Sequence, residues 1–319
     1  MHDRRGWVVP VVVAMFAVAI GLVLGSGPLR TALIGSMGAQ VDSLEDQVAD
    51  AQLASAQAQG ENDYGAQWLD ATAPTQLAGT LQGGAVAVVS VDGADPDDIS
   101  GIETRLTQAG AIVASSVTVE SLWTDPNQSA FRAALAPQLA PSISGLDGTE
   151  TVDEVFAQAL AQALVPEQVD PAADAAAQDG SGAAEADRSQ VLWTLLEDSG
   201  LVSGTRDGDA NAVVLVAGVS DASEDAAGLE VTANITLATV LAQQEIAFVA
   251  ANGPDADGDL VSAVLADTEV LAPRVSTVTW IQTPYSQVTV ALALREQYDG
   301  WVGHYGPGEG REAAPPPPE

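Results

Sequence analysis

The first pattern along the chain is an apolar run, residues 7–24, that contains no charged side chain. As a helix rising ~1.5 Å per residue, this run spans roughly 27 Å, close to the ~30 Å of a bilayer core. The small-residue cluster behind it is followed at once by Pro28, which makes a poor signal-peptidase site. The pattern therefore favours a retained transmembrane helix over a cleaved signal peptide.

Charged residues on either side of this run predict its orientation. Arg4 and Arg5 precede it, and only Arg30 follows closely. Positive residues near a membrane helix tend to stay on the cytoplasmic side. We therefore expect residues 1–6 to be cytoplasmic and the main domain to be extracytoplasmic, so that the chain is a single-pass protein of the cell membrane.

A weaker apolar pattern follows in residues 37–69. Its apolar positions alternate in spacing between three and four residues, as in a coiled-coil seam. The residues of this seam are Val41, Leu44, Val48 and Ala51. Gly60 and Gly65 loosen the pattern further along. Because so narrow an apolar face stabilises an isolated helix poorly, the pattern predicts a short coiled-coil stalk that pairs two chains, and a lone membrane-proximal stalk is the alternative.

Strand patterns begin near residue 83. The segments GAVAVVSVDG and AIVASSVTVE are short, β-branched and apolar, as in buried strands. Between them Ile99, Ile102 and Leu106 recur at helical spacing. The pattern predicts a β-α-β unit with two parallel strands.

The same alternation returns later in the chain. Strands are predicted in NAVVLVAGVS, EIAFVAANG and VSTVTW, and helices at 228–243, 260–265 and 284–297. Successive β-α-β units indicate an α/β fold, a Rossmann-like domain with a mainly parallel sheet, over residues 83–306.

Two segments carry too little apolar surface to join a core. Residues 152–200 have a mostly helical pattern, but 165–190 is dominated by Ala, Asp, Gly and Gln and predicts a disordered acidic insertion. The tail, 307–319, includes four consecutive prolines and predicts an extended, solvated segment.

The composition of the chain excludes several classes of function. The chain has no cysteine, ten basic and 44 acidic residues, and a formal net charge of −34. Lack of cysteine excludes disulfides and thiolate sites, and the negative charge repels nucleic-acid phosphates. The loops after the strands contain no dinucleotide or phosphate-binding motif, and no GxSxG is present. We therefore expect no enzymatic activity, no bound cofactor and no nucleic-acid partner.

Few side chains in the predicted outer part suit copper. Copper prefers Cys and Met sulfur or imidazole, and Met37 and His304 are the residues of these types there. A single chain cannot build a conventional copper site from them, and His304 is expected to bond a carbonyl in a glycine-rich turn. Two His304 side chains meeting across a dimer are the alternative. Asp92 and Asp95 are further candidates, for weak binding of copper or another divalent cation.

Three stretches together resemble a known family. They are AVAIGLVLGSGPL at the anchor, VAVVSVDGAD at the first strand and VSTVTWIQTPYSQVTVALALREQYDGWVGHYG near the end. They resemble the actinobacterial copper transporter family (MctB-like), and the likeness covers nearly the whole chain. It implies a single-pass envelope protein with a role in copper homeostasis or export. It assigns no metal-ligand residue.

The residues themselves also support a different hypothesis. One membrane helix forms no pore, so copper conduction requires a homo-oligomer or a second protein. The chain has a predicted pairing stalk, and its sequence shows no assembled metal site. Together these two observations favour a non-enzymatic dimeric scaffold that binds an envelope or division partner. Both hypotheses stay open at the level of the sequence.

Overall fold

The computed structural model describes residues 13–18, 28–91, 93–165, 181–218, 224–254, 259–308 and 310–316 of the chain. The backbone forms two compact units, Met1–Gly65 and Ala66–Glu319.

In the first unit, residues 13–18 are helical with exposed side chains. The rest of the predicted membrane helix, 7–24, and the predicted cytoplasmic segment, 1–6, lie outside the described residues. Within the described part of the chain, no helix is both long enough and apolar enough to cross a bilayer.

Helix α1 spans Pro28–Leu77 and is longer than the predicted stalk. It continues through Gly60 and Gly65. Strong helix formers, mainly Ala, Gln and Glu, surround these glycines and sustain the helix. The last turns of α1 gain further stability because Leu69 and Leu77 are buried in the second unit. The folded domain therefore begins well before the predicted boundary at residue 83.

The second unit is built on one seven-stranded sheet with the order β3-β2-β1-β4-β5-β6-β7. Its strands are β1 Ala85–Val91, β2 Ile112–Val119, β3 Val202–Arg206, β4 Ala212–Ala217, β5 Ala247–Asn252, β6 Ser276–Val278 and β7 His304–Tyr305. Every neighbouring pair is parallel except β2 with β3. This confirms the predicted α/β fold with a mainly parallel sheet.

Helices connect these strands in chain order. They are α2 Pro96–Gln108, α3 Ser129–Leu139, α4 Val152–Leu164, α5 Ser181–Asp198, α6 Glu224–Ala242, α7 Leu260–Ala266 and α8 Pro284–Tyr298. Short 3-10 turns occupy Ser121–Trp123, Pro126–Gln128 and Ala140–Ser142. The helices predicted at 228–243, 260–265 and 284–297 match α6, α7 and α8 within a few residues.

The helices cover both faces of the sheet. Val86 and Val88 of β1 belong to a buried cluster with the end of α1, α2 and α8. Ala87 and Val89 belong to the opposite cluster, with α3 to α7. Because successive strand side chains point to opposite faces, the apolar run of β1 supplies both cores at once.

The predicted acidic insertion differs from the structure in its second half. Helix α5 begins at Ser181, so residues 181–190 are helical and the prediction of disorder is wrong there. Ala, Glu, Arg and Gln are good helix formers, and the same helix buries Leu192 and Leu196 further along. Residues 166–180 lie outside the described residues.

The predicted solvated tail also differs in part. The Glu312 amide donates to the His304 carbonyl at 2.8 Å, and the Gly306 amide donates to the Glu312 carbonyl at 2.9 Å. Tyr305 and Glu312 form a parallel bridge. The tail around Glu312 therefore pairs with β7, because the edge of the sheet supplies hydrogen-bond partners that the composition does not reveal.

Candidate functional site

The carboxyl ends of parallel strands are the usual place for a ligand, especially where the strand order reverses. Here the reversal lies between β1 and β4, because the chain runs from β1 outward to β2 and β3 before it returns to β4. A Cβ atom on Gly218 would lie 1.9 Å from the carbonyl oxygen of Gly93. The loops after β1 and β4 therefore touch at these two residues, and Gly218 has no room for a side chain there.

A cleft of about 510 Å³ lies further along the same edge, beside the ends of β6 and β7. We call it the carboxyl-edge cleft and define it by Trp280, Thr283, Tyr285, Ser286 and Arg311. It lies between the start of α8 and the segment that follows β7. Both aromatic side chains are substantially exposed.

A strained turn positions the aromatic wall of the carboxyl-edge cleft. Trp280 has φ 61°, in the left-handed region that a bulky residue rarely adopts. Its amide donates to the Gly253 carbonyl at 3.1 Å, which holds the turn in place. The Thr283 side chain accepts from the Ser286 amide at 3.3 Å and caps α8, and Pro284 occupies the first helical position. Strain of this kind is often found at binding sites.

Arg311 forms the opposite wall. Its Nη1 donates to the Pro307 carbonyl at 3.1 Å and to Thr279 Oγ1 at 3.4 Å. Gly306, with φ 123°, presses its backbone against Thr279, because a Cβ atom there would lie 2.2 Å from Thr279 Oγ1. The close approach requires glycine and sets the path of the tail toward Arg311.

The residues that flank His304 predict a glycine-rich turn. In the structure His304 instead lies in the short strand β7. Its Nδ1 is 3.1 Å from Thr277 Oγ1, and the backbone of Ala272 also hydrogen-bonds the ring. Burial, followed by the nearby Arg311 cation, lowers the pKa of His304 below its ordinary value.

Of the predicted metal candidates, the structure describes the side chains of Asp95 and His304. Asp95 caps α2, accepting from the Asp97 amide at 2.9 Å. Burial, and then the Asp95 and Asp97 carboxylates, raise the pKa of Asp98. Asp92 and the side chain of Met37 lie outside the described residues. Within the described part, no group of three or more His, Asp or Glu side chains is placed to hold a metal ion.

The seam residues of α1 whose side chains are described are exposed. Leu44 and Val48 are 59% and 54% exposed, and Ala51 is also exposed. The side chain of Val41 lies outside the described residues. Pairing of two chains along this seam stays a prediction.

The described lining of the carboxyl-edge cleft lacks the side chains that copper prefers. Its described lining residues offer a guanidinium, hydroxyl groups and aromatic rings, and include no Cys, Met or His. Sequence analysis missed Trp280, Tyr285 and Arg311 as site residues. Trp280 and Tyr285 lie in the last of the three stretches that resemble the family. They could have been found in the sequence as two aromatic residues on either side of Pro284, at the start of a predicted helix.

The family described as "Copper transport outer membrane protein, MctB" matches residues 1–316. The protein named "Copper transporter MctB" of Mycobacterium bovis is 28% identical over 324 residues, covering 97% of this chain and 98% of that protein. The proteins of the same name in two strains of Mycobacterium tuberculosis are similar to the same extent. Because the match runs across almost the entire chain, the protein belongs to the MctB copper transport family.

Proposed function

We propose that this protein contributes to copper homeostasis at the cell envelope. The observation that carries the proposal is the end-to-end match to the MctB family, which includes relatives named copper transporters over 97% of the chain. A match of that extent spans the predicted anchor, the long helix and the sheet domain together. The proposal assigns the chain no enzymatic role and no resident cofactor.

The donor groups of the chain favour action in an assembly. Copper sites need several sulfur or imidazole ligands, and the described sheet domain offers one imidazole, at His304. That imidazole already contacts Thr277 and lies near the Arg311 cation. A homo-oligomer or a second envelope protein would therefore have to supply the remaining ligands.

The apolar run at 7–24, with Arg4 and Arg5 before it, supports a single-pass topology with a cytoplasmic N-terminus. Alkaline phosphatase fused to the C-terminus tests this, because the enzyme is active only outside the cytoplasm. We expect an active fusion and a native chain that begins before Trp7. A mature N-terminus near Pro28 would instead mean that the apolar run is a cleaved signal.

The decisive experiment for copper homeostasis is a deletion strain. Intracellular copper and growth are measured with and without added copper, and the full-length chain is returned as the complementing control. We expect raised intracellular copper and poorer growth at high copper, both reversed by complementation. Unchanged copper content together with altered cell shape or septation would reject the copper role in favour of the scaffold described next.

The second candidate is a non-enzymatic dimeric scaffold for an envelope partner. It rests on the apolar side chains that α1 leaves exposed, among them Leu44, Val48 and Leu53 at 59%, 54% and 70%. Leu44→Asp with Val48→Asp should abolish cross-linked dimers, because buried unpaired charges destabilise an apolar seam. Ala49→Asp with Ala56→Asp adds the same charge away from the seam and should leave dimers intact. Equal cross-linking by both double variants would place the contact elsewhere.

A further inference from the structure

The edge of the sheet opposite the carboxyl-edge cleft carries a cavity of about 960 Å³, beside the amino ends of β4 and β5. We call it the amide cavity, because five carboxamides line it: Gln162, Asn211, Gln243, Gln244 and Gln297. Glu245 and Tyr298 also line it, and none of its described lining residues is a cation. No step of the copper proposal uses this cavity.

The protein's own hydrogen bonds fix which end of Asn211 remains available. Its Oδ1 accepts from the Ala85 amide at 2.9 Å and from the Tyr298 hydroxyl at 2.7 Å. A backbone N–H requires an acceptor, so the assignment of the amide oxygen is unambiguous. The Nδ2 group has no partner among the described residues and is not buried. Asn211 therefore presents two N–H donors.

Two other amides are held the opposite way round. Gln297 Nε2 donates to Ser276 Oγ at 2.9 Å and to the Arg274 carbonyl at 3.1 Å. Gln244 Nε2 donates to the Val240 carbonyl at 3.3 Å. These bonds leave the Oε1 atom of each side chain as the free acceptor. The cavity thus combines oriented donors with oriented acceptors, which lowers the entropy lost when a ligand binds.

Glu245 adds a carboxylate to the wall of the amide cavity. It has φ 53°, in the left-handed region that glycine or asparagine usually occupies after a helix. Holding another residue type there costs on the order of 1 kcal/mol. The chain nevertheless places a carboxylate at this point of the cavity wall.

The combined chemistry selects the class of ligand. A hydroxyl group both donates and accepts, so a compound rich in hydroxyls matches mixed amide donors and acceptors. An anion would meet Glu245 with no cation among the described lining residues. The Tyr298 ring, 42% exposed and tied down by its hydroxyl, offers a flat apolar surface for ring C–H groups.

We propose that the amide cavity is a binding site for an uncharged saccharide unit. The full-length chain is tested with N,N′-diacetylchitobiose and trehalose as neutral probes and glucuronic acid as the charged one. Saturation-transfer NMR detects binding, and calorimetry measures affinity. We expect at least one neutral disaccharide to bind and glucuronic acid to bind more weakly.

Matched variants locate the site. Asn211→Asp keeps the acceptor for Ala85 and Tyr298 but removes both N–H donors, and should weaken binding about tenfold. Gln243→Ala removes an exposed carboxamide that makes no side-chain hydrogen bond to the described residues, so it tests the site even if Asn211→Asp unfolds the chain. Asn62→Asp makes the same chemical change on exposed α1 and should leave affinity unchanged.

Three outcomes would overturn the saccharide proposal. The first is no saturation transfer to either neutral disaccharide at millimolar concentration. The second is unchanged affinity in both Asn211→Asp and Gln243→Ala. The third is glucuronic acid binding as tightly as the neutral probes, since the carboxylate of Glu245 should repel it.

Discussion

The ion pair between Asp70 and Arg105 should fix the end of α1 to α2, and its removal gives a measurable loss of stability. Arg105 is 6% exposed, whereas the Asp70 side chain is 55% exposed. Arg105 Nη2 donates to Asp70 Oδ1, and Nη1 donates to Gln108 Oε1 at 3.0 Å. The buried Nε atom has no partner among the described residues. Asp70 is therefore the carboxylate that neutralises a buried cation.

The exposure of the two side chains determines how much stability is lost when the ion pair is removed. Removing one partner of a fully buried ion pair costs ~3–5 kcal/mol. Water can reach the Asp70 side of the pair, so we expect Asp70→Asn to lower the free energy of unfolding by about 2 kcal/mol, near the value of a hydrogen bond to a charged group. For a domain of this size, that corresponds to a fall in Tm of roughly 4–8 °C.

Urea unfolding of the purified chain, followed by tryptophan fluorescence, measures this loss. Asp63→Asn is the matched control, because Asp63 is an exposed residue of the same helix. In an Arg105→Leu background the Asp70→Asn change should cost less than about 0.5 kcal/mol, because the buried charge is gone. An equal cost in both backgrounds, or an equal cost for Asp63→Asn, would refute the assignment of the ion pair.

Three further predictions follow from single contacts. Gly101→Ala should lower the free energy of unfolding in urea by about 1–2 kcal/mol, because its Cβ would lie 2.3 Å from the amide of Gln287, a buried residue of α8. Gly228 lies in open space on α6, so Gly228→Ala should raise the free energy of unfolding by about 0.5–1 kcal/mol. NMR titration should give His304 a pKa below ~6.5, the ordinary value for an unfolded chain. The unfolded chain then binds the proton more readily, so the stability that neutral His304 contributes is present above pH ~6.5 and lost as pH falls. Arg311→Gln should raise that pKa, and no rise would mean that burial alone sets it. Burial raises the pKa of Tyr298 to about 12, so the stability from its neutral phenol is present below pH ~10 and lost as pH rises toward 12. Tyr298→Phe should flatten this alkaline loss in urea unfolding, and an unchanged slope would assign it to another group.

Sequence patterns recovered the parallel core because its strands are buried on both faces. Such strands appear as continuous apolar runs, and β1, β4 and β5 are of this kind. The edge strand β3 has the sequence VSGTR and is mostly exposed, so no apolar run marks it. Its Gly204 packs so closely on β2 that a Cβ atom would lie 2.1 Å from the Ser116 carbonyl oxygen. The need for glycine at this position is visible only once the pairing of β3 with β2 is known.

The sites were harder to predict for a related reason. The carboxamides of the amide cavity come from segments as distant as Gln162 and Gln297. Asn and Gln are common on protein surfaces, and their spacing along the chain carries no information about which of them converge. Their orientation depends on partners such as the Ala85 amide and the Arg274 carbonyl, which the fold alone brings near. Motif spacing identifies sites built from one segment, not sites assembled from several.

The placement of His304 bears on how this chain could handle copper. Its pKa is lowered partly because the Arg311 cation lies close, and the same positive charge disfavours a metal ion at the imidazole. A dimer that brought two His304 side chains together would also bring two Arg311 cations together, and the repulsion would grow with the number of copies. The net charge of −34 still attracts cations to the surface, but a diffuse field of carboxylates gives weak binding that salt screens. We infer that any tight copper ligand set includes groups from outside the sheet domain, so calorimetry on residues 66–319, the second compact unit, should find no copper site tighter than micromolar, a limit of ~8 kcal/mol. A one-to-one site of higher affinity that disappears in His304→Ala would refute this inference, because it would show that the imidazole binds copper despite its cationic neighbour.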